Sequence, residues 1–381
     1  MSNDGMIVAV GAYGNDGDNA LSFSGHVRVY KWSNGAWVQR GEDIDGQAEH
    51  DRFGFSVALS ADGTIMASGS YKDDTAAGAD SGSVRVFIWD AASGNGGAWV
   101  QRGATLSGEA GGDYFGWEVD LSHDGATLAI SGYHNNGAVT SGGHVRVFNW
   151  DGGSNSWVQR GSDIDGIVMN ERSGYGIALS SSGGTVVIGA PMNGEAGTNA
   201  GQVRIYDWSA GSNGWVKRGM SINGEAANDN SGKTVAVSDD GNVLAISGTQ
   251  NDDAATNAGH VRIFHWDGGA WMQRGADIDG EAVGDSSGAG LSMDSSGNTI
   301  AIGSTANDGN GQNAGHVRIY KWDTTTSSWV QAGDDIDGEA AFDASGVKVK
   351  LSGDGRTAAI GAYGNDEVGS SSGHVRVYEL H

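Results

Sequence analysis

Acidic residues recur in one arrangement along this chain, and their spacing suits cation chemistry. Asp43-Ile44-Asp45-Gly46 is followed by Asp51; Asp277 and Asp279 by Glu281 and Asp285; Asp335 and Asp337 by Glu339 and Asp343; Asp163, Asp165 and Glu171 fit the same frame. An acid stands five residues after the glycine in all six copies of the phrase, Asp113 and Asp229 included. Carboxylates two residues apart beside a glycine turn can converge on a hard cation through oxygen ligands. Asp43, Asp45, Asp51, Asp277, Asp279, Asp285, Asp335, Asp337 and Asp343 are therefore candidate metal ligands, and calcium is the one cofactor they suggest. A full EF-hand ligand set is absent. The competing reading is structural: the same carboxylates cap turns or pair with the recurring arginines Arg28, Arg146 and Arg262.

A second set follows a short apolar run in each repeat. Asn15-Asp16, Asp73-Asp74, Asn135, Asn251-Asp252, Asn307-Asp308 and Asn365-Asp366 recur there, and Tyr13, Tyr71, Tyr133 and Tyr363 stand just before several of them. Tyrosine beside amides and carboxylates can bind sugar hydroxyls. The competing reading is that Asn and Asp form Asx-turns while the tyrosines pack between neighbouring repeats. Histidine recurs at one strand position, as His26, His144, His260, His316 and His374. A catalytic site rarely needs five copies, and separate repeats hold these rings apart, so they read as structural rather than as a metal ring. His123, His134 and Trp117 occur once each; a specific site can hide among such non-repeated residues, but nothing in the sequence joins these three. No Ser-His-Asp order, Gly-x-Ser-x-Gly elbow, His-Glu-x-x-His or phosphate loop is present. The reading is therefore of a protein that is not an enzyme, with a polysaccharide hydrolase or lyase using the clustered acids as the enzymatic alternative.

The elements that must position these residues are strands. Gly25-His26-Val27-Arg28-Val29-Tyr30 has six further copies, at Gly82, Gly143, Gly201, Gly259, Gly315 and Gly373, with spacings of 57, 61, 58, 58, 56 and 58 residues. A Trp-Val-Gln-Arg-Gly phrase or close variant begins at Trp37, Trp99, Trp157, Trp215, Trp271 and Trp329. Each period holds four runs rich in β-branched and aromatic residues, bounded by turn residues, and no stretch shows a helical period. Four antiparallel strands per period describe a propeller blade. The expectation is an all-β, seven-bladed β-propeller of four-stranded antiparallel blades, its first and last blades incomplete, spanning residues 1–381 as a single body, with six blades plus a spare hairpin as the alternative closure. Cross-strand tryptophans such as Trp32 and Trp37 then belong to hairpins rather than to a ligand site.

The chain has 67 glycines, one proline and no cysteine, which fits many tight turns and excludes disulfides. It carries a net charge of −25, with 47 acidic against 22 basic residues, which argues against nucleic acid and anionic membranes as partners. No apolar run reaches membrane-spanning length and no signal-peptide pattern opens the chain. Ser2-Asn3-Asp4-Gly5 matches the turn Ser60-Ala61-Asp62-Gly63, so the chain is expected to enter midway through a repeat, at its second strand, and to leave after a third strand at Val375–Tyr378.

The order of a Phe-Gly strand, a Gly-Ala-Pro-like strand end and a Gly-x-Val-x-Val-Tyr strand resembles the FG-GAP repeats of integrin α-chain propellers. Phe53-Gly54 and Phe115-Gly116 carry the first element, replaced by Ser173-Gly174 and Ser345-Gly346 in later copies. Gly189-Ala190-Pro191 carries the second, with near matches at Gly11-Ala12-Tyr13 and Gly361-Ala362-Tyr363. The Trp-Val-Gln-Arg-Gly-x-Asp-Ile-Asp-Gly-Glu-Ala phrase is similar to a variant found in secreted microbial and algal repeat proteins. The resemblance implies an extracellular or cell-surface propeller that binds a glycan or an extracellular protein through the face shared by the loops after the second and fourth strands. It also implies calcium at the turn between first and second strands, where this chain has only short turns. The unfinished terminal repeats add a second expectation, a structural subunit that self-assembles through open strand edges.

Overall fold

The computed structural model describes residues 1–16, 21–93, 96–367, 369 and 372–380. Among them every regular element is a strand, and the strands form seven small sheets. The third repeat shows the pattern. Phe115–Leu121, Thr127–Gly132, His144–Asp151 and Ser156–Gln159 pair in chain order, and the two-residue strand Ile164–Asp165 returns to pair with the start of His144–Asp151. The first sheet starts at Ile7–Ala12 and lacks a strand equivalent to Phe115–Leu121. The last ends at His374–Glu379 and lacks an equivalent of Ser156–Gln159. The fold class is the all-β, seven-bladed propeller expected from the repeats, with its first and last blades incomplete. No helix of the described residues is long and apolar enough to cross a membrane.

The chain divides into two compact units, residues 1–186 with 207–216 and residues 187–206 with 217–381. In the first unit, alternate side chains of one sheet meet those of the next: Val27, Val29 and Ile44 pack on Phe53, Met66 and Phe87. In the second, Val261, Ile263 and Ile278 pack on Ile300, Ile302 and Tyr320 in the same way. Period-2 alternation thus gives each strand two buried faces, one toward each neighbouring sheet. Adjacent sheets also approach backbone to backbone. A Cβ on Gly69 would lie 2.0 Å from the Gly116 carbonyl oxygen, so the Phe-Gly element and the glycine of the strand end are two halves of one contact.

The tryptophan phrase builds a staple between repeats. Trp322 and Trp329 lie directly opposite each other with ring centroids 5.4 Å apart. The Arg274 guanidinium of the preceding repeat stands 4.5 Å from the first ring, and the Trp329 indole N–H donates to the Arg274 carbonyl at 2.8 Å. The same unit recurs at Arg40, Arg102, Arg160 and Arg218. The Trp pairs are structural, as their hairpin positions imply.

Candidate functional site

The three acids of each acidic phrase go to three different places. The first faces the repeated histidine and arginine: Asp43 accepts a two-oxygen contact from Arg28 (Nε at 2.9 and 3.0 Å) and a bond from Gln39, and Asp163, Asp277 and Asp335 lie 3.4–3.6 Å from Nδ1 of His144, His260 and His316. Arg28 is the main cause that holds the Asp43 carboxyl below its ordinary range. The second acid offers its backbone: the carbonyls of Asp45, Asp279 and Asp337 each accept a guanidinium N–H of the following repeat, from Arg85, Arg318 and Arg376. The third folds back on its own loop. Asp51, Asp285 and Asp343 are buried and accept the backbone N–H three residues earlier, and Asn307 and Asn365 donate to Asp285 and Asp343. The structure therefore does not gather the three acids of a phrase around one point, because each is needed to satisfy a different buried or strand-end donor. Burial, then Asp73, pushes the Asp51 carboxyl up to about 6.

The amides after the second strands also turn inward. The side-chain oxygens of Asn135, Asn251, Asn307 and Asn365 accept the N–H two residues on, which is an Asx-turn. Asp16 accepts the Phe23 N–H, Asp73 accepts the Ser83 hydroxyl, and the Asn15 carbonyl accepts the Gly25 N–H.

The tyrosines behave differently. Tyr13, Tyr71 and Tyr133 belong to one half-exposed aromatic basin in the first unit, joined by Phe55, Tyr114, Trp117 and Tyr175. Trp117 is its centre, with ring centroids 4.6 Å from Phe55, 5.3 Å from Tyr71, 4.6 Å from Tyr133 and 5.1 Å from Tyr175. His134 lies against Tyr114 and Tyr133 at 5.6 and 5.8 Å. Three cations rim the basin: Arg52 within 5.9 Å of the Tyr13 ring, Lys72 within 6.0 Å of Tyr114 and Arg172 within 5.9 Å of Tyr133. Burial, and then Tyr114, pushes the Tyr133 hydroxyl up to about 12, so it stays a neutral donor. Tyr363, in the second unit, is exposed.

The basin breaks the repeat. Phe55, Trp117 and Tyr175 follow the first-strand glycine, where later copies have Lys233, Ala289 and Val347; Tyr13, Tyr71 and Tyr133 directly follow the second strand, where the next three copies have Pro191, Thr249 and Thr305 and the last has Tyr363. Arg52, Tyr114 and Arg172 share a third position and hold φ of 62°, 56° and 58°. That left-handed conformation favours Asn or Gly over bulky residues, and the later copies use Asn230, Ser286 and Ala344 there. Sequence reading found Trp117 and His134 as one-off residues but saw nothing to join them; Tyr133 joins them, while His123 lies elsewhere, its N–H on the Ser181 carbonyl. It missed Phe55, Tyr175, Arg52, Lys72 and Arg172, whose signal was departure from the repeat at three fixed positions.

Residues 44–87 match the family described as FG-GAP repeat. The same glycine, arginine and tryptophan positions recur through the remaining sheets, and the chain folds as a β-propeller in which residues 44–87 match the FG-GAP repeat. No curated protein matches the chain. Among solved structures it is similar to a putative 6-phosphogluconolactonase from Bacteroides uniformis (TM-score 0.65, 11% identity, covering 99% of this chain and 92% of that one). A putative 6-phosphogluconolactonase from Bacteroides fragilis aligns with TM-score 0.59 at 12% identity over 100% and 92% of the two chains. The periplasmic gluconolactonase of Pseudomonas aeruginosa aligns with TM-score 0.58 at 14% identity over 93% and 95%. Identities this low show the fold alone. They nonetheless correct the expectation of a non-enzymatic adhesion or recognition module, since these three structures, which share the fold over 93–100% of the chain, are named as lactonases. The reason is physical: a propeller collects side chains from separate repeats, so a site on it needs no contiguous motif, and the absence of one carried less weight than the sequence reading gave it.

Proposed function

We propose that this chain is a hydrolase that opens the lactone ring of an anionic sugar acid, taken up on the aromatic basin of its first unit. The observation that carries the reading is the basin itself: a non-repeated aromatic platform rimmed by three cations on a chain of net charge −25. The faces of Trp117 and Tyr133 suit the C–H face of a pyranose ring, and Arg52, Lys72 and Arg172 suit its carboxylate or phosphate. His134 is the imidazole within the basin and takes the role of general base. It removes a proton from water as the oxygen bonds to the ring carbonyl carbon; the ring C–O bond then breaks, and the alkoxide takes the proton back as the free hydroxy acid forms. Arg172, beside Tyr133, is placed to steady the oxyanion. The strained backbone at Arg52, Tyr114 and Arg172 supports the same assignment, since bulky residues held in the left-handed region cost of order 1–3 kcal/mol each and cluster at working sites.

The test is acid release from 6-phosphogluconolactone and gluconolactone in a pH-stat, with spontaneous opening subtracted. Turnover is expected, with H134A lowering kcat by about 100-fold or more and R172A raising KM more for the phosphorylated substrate than for the neutral one. No turnover above the spontaneous rate, or turnover untouched by both H134A and W117A, would sink the proposal.

A further inference from the structure

The second unit holds a side-chain group that neither the fold nor the proposed hydrolase uses. The His260 side chain is fully buried, and neither of its ring nitrogens has a hydrogen-bond partner. Its Nδ1 is aimed at two carboxylates, 3.7 Å from Glu225 Oε2 and 3.6 Å from Asp277 Oδ2. Asp253 completes the group: one donor atom from each of Glu225, Asp253, His260 and Asp277 lies within 4.8 Å of all the others.

The spacing is too long for N–H···O hydrogen bonds, which lie at about 2.7–3.2 Å. It is close to that of two ligands on one ion, since zinc bonds of about 2.0–2.1 Å at tetrahedral angles set donors about 3.4 Å apart. The remaining atoms of these side chains are already engaged. Arg262 Nη1 lies 3.5 Å from Glu225 Oε1, Gln273 donates to Asp277 Oδ1, and Asn251 donates to Asp253. Partners of this kind fix the orientation of metal ligands.

Comparison with the other repeats sharpens the point. In the first sheet the guanidinium of Arg28 sits directly on Asp43. Beside His260 the equivalent Arg262 instead lies 3.5 Å from Glu225 Oε1 and donates through Nη2 to the Asn223 carbonyl at 2.7 Å. The groups at His144 and His316 have only two carboxylates, Glu109 with Asp163 and Glu281 with Asp335, and so offer three donors. We propose that Glu225, Asp253, His260 and Asp277 form a binding site for a zinc-class divalent cation, with a tetrahedral set of one imidazole nitrogen and three carboxylate oxygens.

The test uses the full chain, stripped with EDTA and titrated with zinc chloride by calorimetry, with cobalt(II) absorption as the readout of geometry. The expected result is saturable zinc binding, tetrahedral cobalt bands, and a loss of more than about 100-fold in zinc affinity in both E225Q and D277N, since even outer groups are worth roughly 10–100-fold. Both variants alter carboxylates that reach solvent and leave His260 in place, and circular dichroism checks that they fold. E281Q, in a three-donor group, is the matched control and is expected to leave the tightest zinc site unchanged. Absence of zinc binding by the folded wild type, zinc binding that D277N does not weaken, or calcium displacing zinc at equal concentration would each overturn the assignment.

Discussion

Replacing Arg274 with alanine removes a defined set of contacts, and its cost follows from them. The guanidinium lies 4.5 and 5.5 Å from the Trp322 and Trp329 rings, donates to the Gly297 carbonyl at 2.7 Å and to the Asn298 side chain at 2.6 Å. A cation over aromatic faces contributes about 0.5–2 kcal/mol, and a hydrogen bond from a charged donor about 1.5–3 kcal/mol. The exposed Asn298 bond is largely replaced by water, and truncation recovers the desolvation that pushes the Arg274 pKa down. The net loss is then about 2–4 kcal/mol, or roughly 30- to 800-fold in the folding equilibrium. Unfolding entropy of about 2.1 cal/mol/K per residue gives roughly 0.8 kcal/mol/K if all 381 residues unfold together. R274A should therefore melt about 2.5–5 °C below wild type, followed by circular dichroism. R274K keeps the charge but not the planar fork, and should recover only part of the loss. A melting point for R274A within 1 °C of wild type, or full recovery in R274K, would refute the idea that the Arg–Trp–Trp unit staples the repeats.

Further outcomes follow from other sites. Asp51 has a folded-state pKa raised to about 6 by burial and by Asp73, from an ordinary value of 3.8. The folded state therefore keeps the proton that the unfolded chain releases, and wild type is progressively penalised as pH rises from about 4 through 6. D51N should melt higher than wild type at pH 8 and lose that advantage by pH 4; a gap independent of pH would show that Asp51 is not held protonated. G69A drives a Cβ to 2.0 Å from the Gly116 carbonyl and should cost about 3 kcal/mol, whereas G14A, with open space around it, should be neutral. Urea midpoints of the two variants check this. R172N relieves a bulky residue at φ 58° and should raise the melting temperature while lowering lactonase kcat/KM, the trade expected where strain is kept for function. A rise in both, measured side by side, would mean that Arg172 serves neither substrate nor transition state.

The fold was legible because the features that specify it are repeated. Val27 and Val29 alternate with Arg28, the glycine before them takes positive φ, and the opposed tryptophans fix the hairpin register; each appears in nearly every period, so chance is averaged out. The incomplete terminal blades were legible for the same reason, since counting the phrases shows which strands are missing. The calcium phrase was legible as a pattern but not as a geometry. Spacing along the chain shows that Asp43, Asp45 and Asp51 are near in sequence; it does not show that one carboxylate meets Arg28, one carbonyl meets Arg85 and one side chain turns back to Ala48. In a short turn, competing donors a few ångströms away decide where each oxygen goes, and those donors come from other repeats.

The same logic explains why the basin was harder to find than the fold and why it is the better guide to function. A residue that recurs, as the histidine of His144 does five times, belongs to the scaffold and says little about any one place. Phe55, Trp117 and Tyr175 share one position of the repeat, Tyr13, Tyr71 and Tyr133 a second, and Arg52, Tyr114 and Arg172 a third, and all nine lie between residues 13 and 175; only the second set has a later member, Tyr363. Their gathering in one part of the chain would be a coincidence on a purely structural account, because Val347, Thr305 and Ala344 fill the same places beside strands that form all the same. The structure turns that coincidence into contact, with Trp117 touching members of the first two sets and Arg172 and Tyr114 closing over Tyr133. In a repeat protein, then, the fold is read from what recurs and the site from what fails to recur, and the two searches run on different residues of the same chain.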